Sequence, residues 1–139
     1  MASTLSAMIG GLTGPRAIGA PGRPWLDGPG LASLAGRVAN TLADRGIGGG
    51  RVAIVLPNGP EMATAFLTVA AVCCAAPLNP AYKADEFEFY LSDLNPAAII
   101  LAPGGTPAAA EVATRLGIPI LSLLTAEDDA AGLFRLEGP

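Results

Sequence analysis

The chain has 139 residues, a formal net charge of −4, 51% hydrophobic residues and no histidine. That length is one domain's worth and enough for a hydrophobic core without disulfide or metal staples. An acidic balance with no basic run argues against a nucleic-acid partner, since nothing would neutralise phosphates. Without histidine, neither a Ser-His-Asp triad nor the usual zinc site is available.

The N-terminus, "MASTLSAMIGG", lacks the early positive charge of a signal peptide. The segment "AIGAPGRPWLDG" reads as two short extended pieces around a Pro21-Gly22 turn, and Asp27 then caps a helix. Leu31, Leu34, Ala35, Val38 and Leu42 fall on one helical stripe, with Arg45 in the last turn and Gly46 just past it. "GIGGG" superficially resembles a phosphate loop. It precedes a strand rather than a helix, so the helix dipole is on the wrong side.

"RVAIVLP" is a continuous β-branched run, as expected of a strand covered on both faces. Gly59 and Pro60 then suit the cap and first position of a helix running to Cys73. That helix is apolar nearly all round and is expected to be buried. The apolar stretch 62–78 is Ala-rich and contains Pro77, so a buried helix running into a buried strand explains it better than a membrane span. The adjacent Cys73 and Cys74 are poorly placed to bridge each other. They are expected to be small buried hydrophobes in a reducing cytoplasm.

"AAPLN" reads as a second strand. "PAYKADEFEFYLSDLN" is the clearest amphipathic helix, with Phe87, Tyr90, Leu91 and Leu94 on its apolar face and Glu88 in solvent. "AAIILA" is a third strand, "PAAAEVATRLG" a helix closed by Gly117, and "IPILSLL" a fourth strand. Residues 126–139 show no period and read as loop or tail. Alternation from Arg51 onward predicts an α/β fold with a mainly parallel sheet, preceded by a short hairpin and helix.

The turn "LPNGPE" is the one candidate phosphate cradle at the end of a strand. Such a loop needs several backbone N–H groups converging on the anion, hence several glycines and often a lysine. Here there is one glycine, Pro57 and Pro60 lack an N–H, and Glu61 brings negative charge to the place a phosphate would occupy. The turn therefore reads as a strand-to-helix connection with proline at the helix start.

"RVAIVLPNGPEMATAFLTVA" followed by "APLNPAYKADEFEFYLSDLNPAAII" resembles the N-terminal region of the AMP-forming acyl-CoA synthetases, the adenylate-forming ligases, nearest to the oxalate–CoA ligase branch. "AIGAPGRPWL", the 31–46 helix and "LGIPIL" fall in the same order, so the resemblance covers nearly the whole chain. It departs from the family in "DGPG", where a Thr-Tyr or similar pair is usual before the first helix. It departs again in "GGGR", where Gly-x-Gly-Asp usually precedes the Arg-Val strand.

The resemblance implies an incomplete part of the large N-terminal domain of a ligase several times longer. Residues 1–50 would belong to one subdomain and residues 51–125 would open another. The full family reaction uses ATP, Mg²⁺ and CoA to convert a carboxylic acid to an acyl-adenylate and then to a thioester. The family's phosphate loop, adenine and ribose contacts and adenylation lysine all come later than the segments matched here. No catalytic, cofactor-binding or metal-binding residue is therefore assigned to any position of this chain, and no cofactor to the chain by itself.

Three readings follow: the N-terminal piece of an acyl-CoA synthetase, a stand-alone non-catalytic remnant or interaction module, and an independent nucleotide-binding domain. The first makes the rest of the ligase the expected partner. It also predicts self-association, because the 31–45 helix and the sheet would lack strands supplied from elsewhere.

Overall fold

A computed structural model describes residues 4–138. After a short helix α1 (Leu5–Gly10), residues 17–26 double back through a single antiparallel bridge between Ile18 and Leu26. The Leu26 amide donates to the Ile18 carbonyl at 2.9 Å, and Gly22 turns the chain at φ +74°. The Asp27 side chain accepts from the Gly30 amide at 2.6 Å and starts α2 (Gly28–Asp44). Gly46, at φ +70°, ends the turn that follows it.

The alternation from Arg51 is present: β1 (Arg51–Val55), α3 (Pro60–Ala70), β2 (Cys74–Pro77), α4 (Ala84–Leu94), β3 (Ala98–Leu101), α5 (Pro107–Arg115) and β4 (Ile120–Leu124). The first four strands are parallel, and the sheet order is β2-β1-β3-β4-β5. The β-branched run of β1 and the "AIIL" of β3 are buried almost throughout, as parallel strands covered on both faces require. Crossovers of constant hand place a helix on opposite faces when the chain moves left and when it moves right. Accordingly α3, which leads from β1 out to β2, packs on one face, whereas α4 and α5 pack on the other.

The fifth strand corrects the expectation for residues 126–139. Instead of a loop, this segment returns as β5 (Arg135–Glu137), antiparallel to β4 with Leu136 opposite Leu123. A three-residue strand with charged ends carries no readable period. What places it is Phe134, which is 1% exposed in the core. Residues 1–3 and Pro139, included in the sequence-based boundaries, lie outside the described residues.

The stripe of α2 is covered within the chain, and two further expectations, for α3 and for the cysteines, are corrected. Leu31, Leu34, Val38 and Leu42 are buried in one cluster with Val52, Ile54, Ile100, Leu121 and Phe134, so residues 1–50 and the sheet share a core. Helix α3 is not buried all round and ends at Ala70. Its inner side is Thr64, Ala65, Thr68 and Val69, while Phe66 is 40% exposed. Cys74 opens the edge strand β2 and is exposed, and only Cys73 is half-buried, donating weakly to the Ile47 carbonyl.

Helix α4 follows the predicted phase in its centre, with Phe87 and Leu91 buried and Leu94 half-buried. Tyr90 is instead 39% exposed, because it stacks on Tyr82 at 5.0 Å rather than entering the core. The Lys83 amide donates to the Glu86 carboxylate at 3.0 Å at the helix start, and Asn95, left-handed at φ +46°, ends it. Among the described residues no helix is long and apolar enough to cross a membrane.

Candidate functional site

The strand order reverses between β1 and β3, since β2 lies to one side of β1 and every later strand to the other. In open α/β sheets the crevice outside the carboxyl ends of the strands at such a point is the usual ligand site. A cleft of about 440 Å³ lies there. One wall is the 56–61 turn between β1 and α3. The others are Ala102 and Pro103 after β3, and the end of β4 from Leu123 to Thr125. The "LPNGPE" turn thus stands where a functional loop would stand.

The chemistry of that turn is sparse. Asn58, Glu61 and Thr125 supply the polar side chains of the cleft, and none of its lining residues is a lysine, arginine or histidine. Pro57 and Pro60 contribute no N–H. Pro60 takes the first helical position, with Gly59 as cap.

Glu61 is not left as a bare negative charge at the mouth. Its carboxylate accepts from the Arg23 guanidinium at 2.6 Å and from the Gly132 amide at 3.1 Å. Arg23 also donates to the Ala130 carbonyl at 3.1 Å, and the Ala131 amide to the Pro24 carbonyl at 2.9 Å. The buried Thr64 hydroxyl donates to the Gly132 carbonyl at 2.6 Å. One carboxylate and one hydroxyl on the first two turns of α3 therefore hold the hairpin and the 130–132 segment together. Gly132 is required here twice over. Its φ is +83°, and a Cβ would lie 2.5 Å from the Thr64 methyl.

Glu61 was legible in the sequence only as an unfavourable charge. Its partner lies 38 residues earlier, and no local spacing points to it. The "GIGGG" connector lies at the opposite end of the sheet, leading into the start of β1. Gly49 is left-handed there at φ +79° and its amide donates to the Val72 carbonyl at 3.2 Å.

The cleft's one carboxylate, Glu61, is engaged by Arg23 and Gly132. Among the described residues no group of three or more histidine, cysteine, aspartate or glutamate side chains is placed to hold a metal ion.

Fold and strand order define an open α/β domain with a mainly parallel sheet and a cleft at its switch point. Residues 22–133 match the AMP-binding enzyme family, and the chain belongs to that family. The chain is 42% identical over 106 residues to an oxalate–CoA ligase of Arabidopsis thaliana, covering 74% of this chain and 21% of that protein. It is 48% identical over 56 residues to an oxalate–CoA ligase of Saccharomyces cerevisiae, covering 40% of this chain and 10% of that protein. The crystal structure of apo MatB from Rhodopseudomonas palustris superposes with a TM-score of 0.72 at 24% identity, covering all of this chain and 30% of that one. The chain thus spans about a fifth or less of the length of these curated relatives, and the fold agrees with one end-to-end stretch of a longer solved chain.

Proposed function

We propose that this chain forms the N-terminal part of the large domain of an ATP-dependent acid–CoA ligase, acting on a carboxylic acid by way of an acyl-adenylate. In this reading it contributes scaffold and one wall of the crevice, while ATP, Mg²⁺ and CoA are handled by segments beyond those matched here. The observation that carries the proposal is the cleft itself. It stands at the topological switch point, yet no lysine, arginine or histidine lines it, and Pro57, Pro60 and Pro103 in its wall have no N–H. Positioned cations and donors around the phosphates are what adenylyl transfer requires.

Carboxylate-dependent exchange of labelled pyrophosphate into ATP tests it. The chain alone should give the rate of a no-protein control. Activity should appear when the remaining portion of a ligase of this family is supplied in trans. Exchange by the repurified chain alone, or no effect of the chain on a partner that needs its N-terminal part, would overturn the proposal.

A second reading, a non-catalytic stand-alone module, is favoured by one observation. Both faces of the sheet already carry a closed core, and no buried side-chain polar atom among the described residues lacks a hydrogen bond.

A further inference from the structure

The turn that walls the cleft has little support of its own. Leu56, at its near end, is buried in the core, and Thr64 and Ala65 tie down α3 one turn beyond its far end. Between them Pro57, Asn58 and Gly59 are exposed. Pro57 has no N–H, and among the described residues neither the Asn58 nor the Gly59 amide donates a hydrogen bond. As N-cap, Gly59 has no side chain to accept from the first turn of α3. Its carbonyl accepts from the Ala63 amide at 3.2 Å, which joins the turn to the helix but not to the rest of the fold. The nearest directional contact to a distant segment is the Glu61 carboxylate. A single oxygen, Oε2, accepts both from the Arg23 guanidinium at 2.6 Å and from the Gly132 amide at 3.1 Å. A second nitrogen of Arg23 donates to the Ala130 carbonyl and holds the guanidinium in place. Arg23 itself is not among the residues that line the cleft.

We infer that Arg23 is a positioning residue for the cleft. Acting through Glu61 from outside the cleft, it fixes the first turn of α3 and with it the 56–61 wall. A charge-assisted bond of this kind is stronger than one between neutral groups, and a carboxylate in the first turn of a helix is further favoured by the helix dipole. One side chain of the hairpin therefore sets the geometry of a wall that cannot set its own. The Thr64 hydroxyl has a different task. It donates to the Gly132 carbonyl from the second turn of α3, so it fastens the 130–132 segment to a part of the helix that is already buried. Breaking the Glu61 contact should free the turn and leave the sheet in place, whereas breaking the Thr64 contact should weaken the fold and leave the turn fixed. All of these contacts are made within the chain, and the inference does not depend on the ligase reading.

Backbone ¹⁵N relaxation on the full chain tests the inference. In wild type, Asn58 and Gly59 should have order parameters near the rigid-backbone value of about 0.85. Arg23→Gln and Glu61→Ala should each lower them below about 0.6, with β1 and β3 unchanged. Glu61→Gln should be intermediate, because its amide oxygen can still accept from Arg23 and Gly132 but without the charge. Thr64→Val is the control for a merely structural role: its denaturation midpoint should fall while Asn58 and Gly59 stay rigid. Should Glu61→Ala unfold the chain, the milder Arg23→Gln and Glu61→Gln still decide the matter. A turn that stays rigid in Arg23→Gln would overturn the inference, since its own geometry would then suffice. So would a turn already mobile in wild type, equal loosening in Thr64→Val, or a loss of order spread evenly over β1 and α3.

Discussion

The two faces of the sheet are built differently. Helices α4 and α5 cover one face with residues drawn from a short stretch of chain, Ala53 to Ile120. The other face, under α1, α2 and α3, gathers residues from Ile9 to Phe134 and is completed by the returning segment that carries β5. Local folding rules suffice for the first face. The second needs contacts between distant segments, and the Glu61 carboxylate sits where three of them meet. The crevice wall belongs to this second, long-range face.

Substitutions on the two faces probe that contrast. The largest loss is expected for Phe134→Ala, about 3–5 kcal/mol by the cavity cost of a buried aromatic. Because Phe134 holds the returning segment, amide protection along β5 should fall along with global stability. Leu91→Ala, on the local face, should cost about 2–5 kcal/mol while leaving β5 protection at its normal level relative to the rest of the fold. Denaturant titration with hydrogen exchange distinguishes the two. If both variants lose β5 protection in the same proportion, the faces are not separable in the way described.

Thr64→Val keeps the shape of the side chain and removes the hydroxyl that donates to the Gly132 carbonyl. Leaving that buried carbonyl unmatched should cost about 1–3 kcal/mol. Adding Glu61→Gln to Thr64→Val should give a non-additive loss, since both hold the same 130–132 segment. Additivity would mean that the two contacts act independently. The smallest effect is expected for Glu88→Gln on α4. Its bridge to Arg115 is 2.6 Å long but both side chains are about half exposed, so the change should stay within about 0.5 kcal/mol.

Legibility in the sequence follows the same division. The parallel strands and α2, α4 and α5 could be located from β-branched runs, helical stripes and the glycines or asparagine that end helices, because each signal lies within its own element. The short helix α1 has a local signal in Thr4, whose hydroxyl accepts from the Ala7 amide at 3.0 Å, but its six residues are too few to establish a stripe. Strand β5 was illegible because its identity depends on Phe134 docking far away, not on its own pattern. At the cleft, the sequence showed a proline-bounded turn at the start of a helix, and the structure has Pro60 at the first helical position after Gly59. The neutralisation of Glu61 by Arg23 was not legible, because nothing in either neighbourhood marks the other as its partner.

The chain has the fold of its family and a cleft at the switch point, and the central proposal is that ATP is handled by segments beyond those matched here. Titration of the isotopically labelled chain with ATP and Mg²⁺, followed by amide chemical shifts of residues 56–61 and 123–125, tests it most directly. The account predicts no saturable shift in the cleft up to millimolar nucleotide. Saturable shifts confined to those amides, competed by AMP, would contradict it.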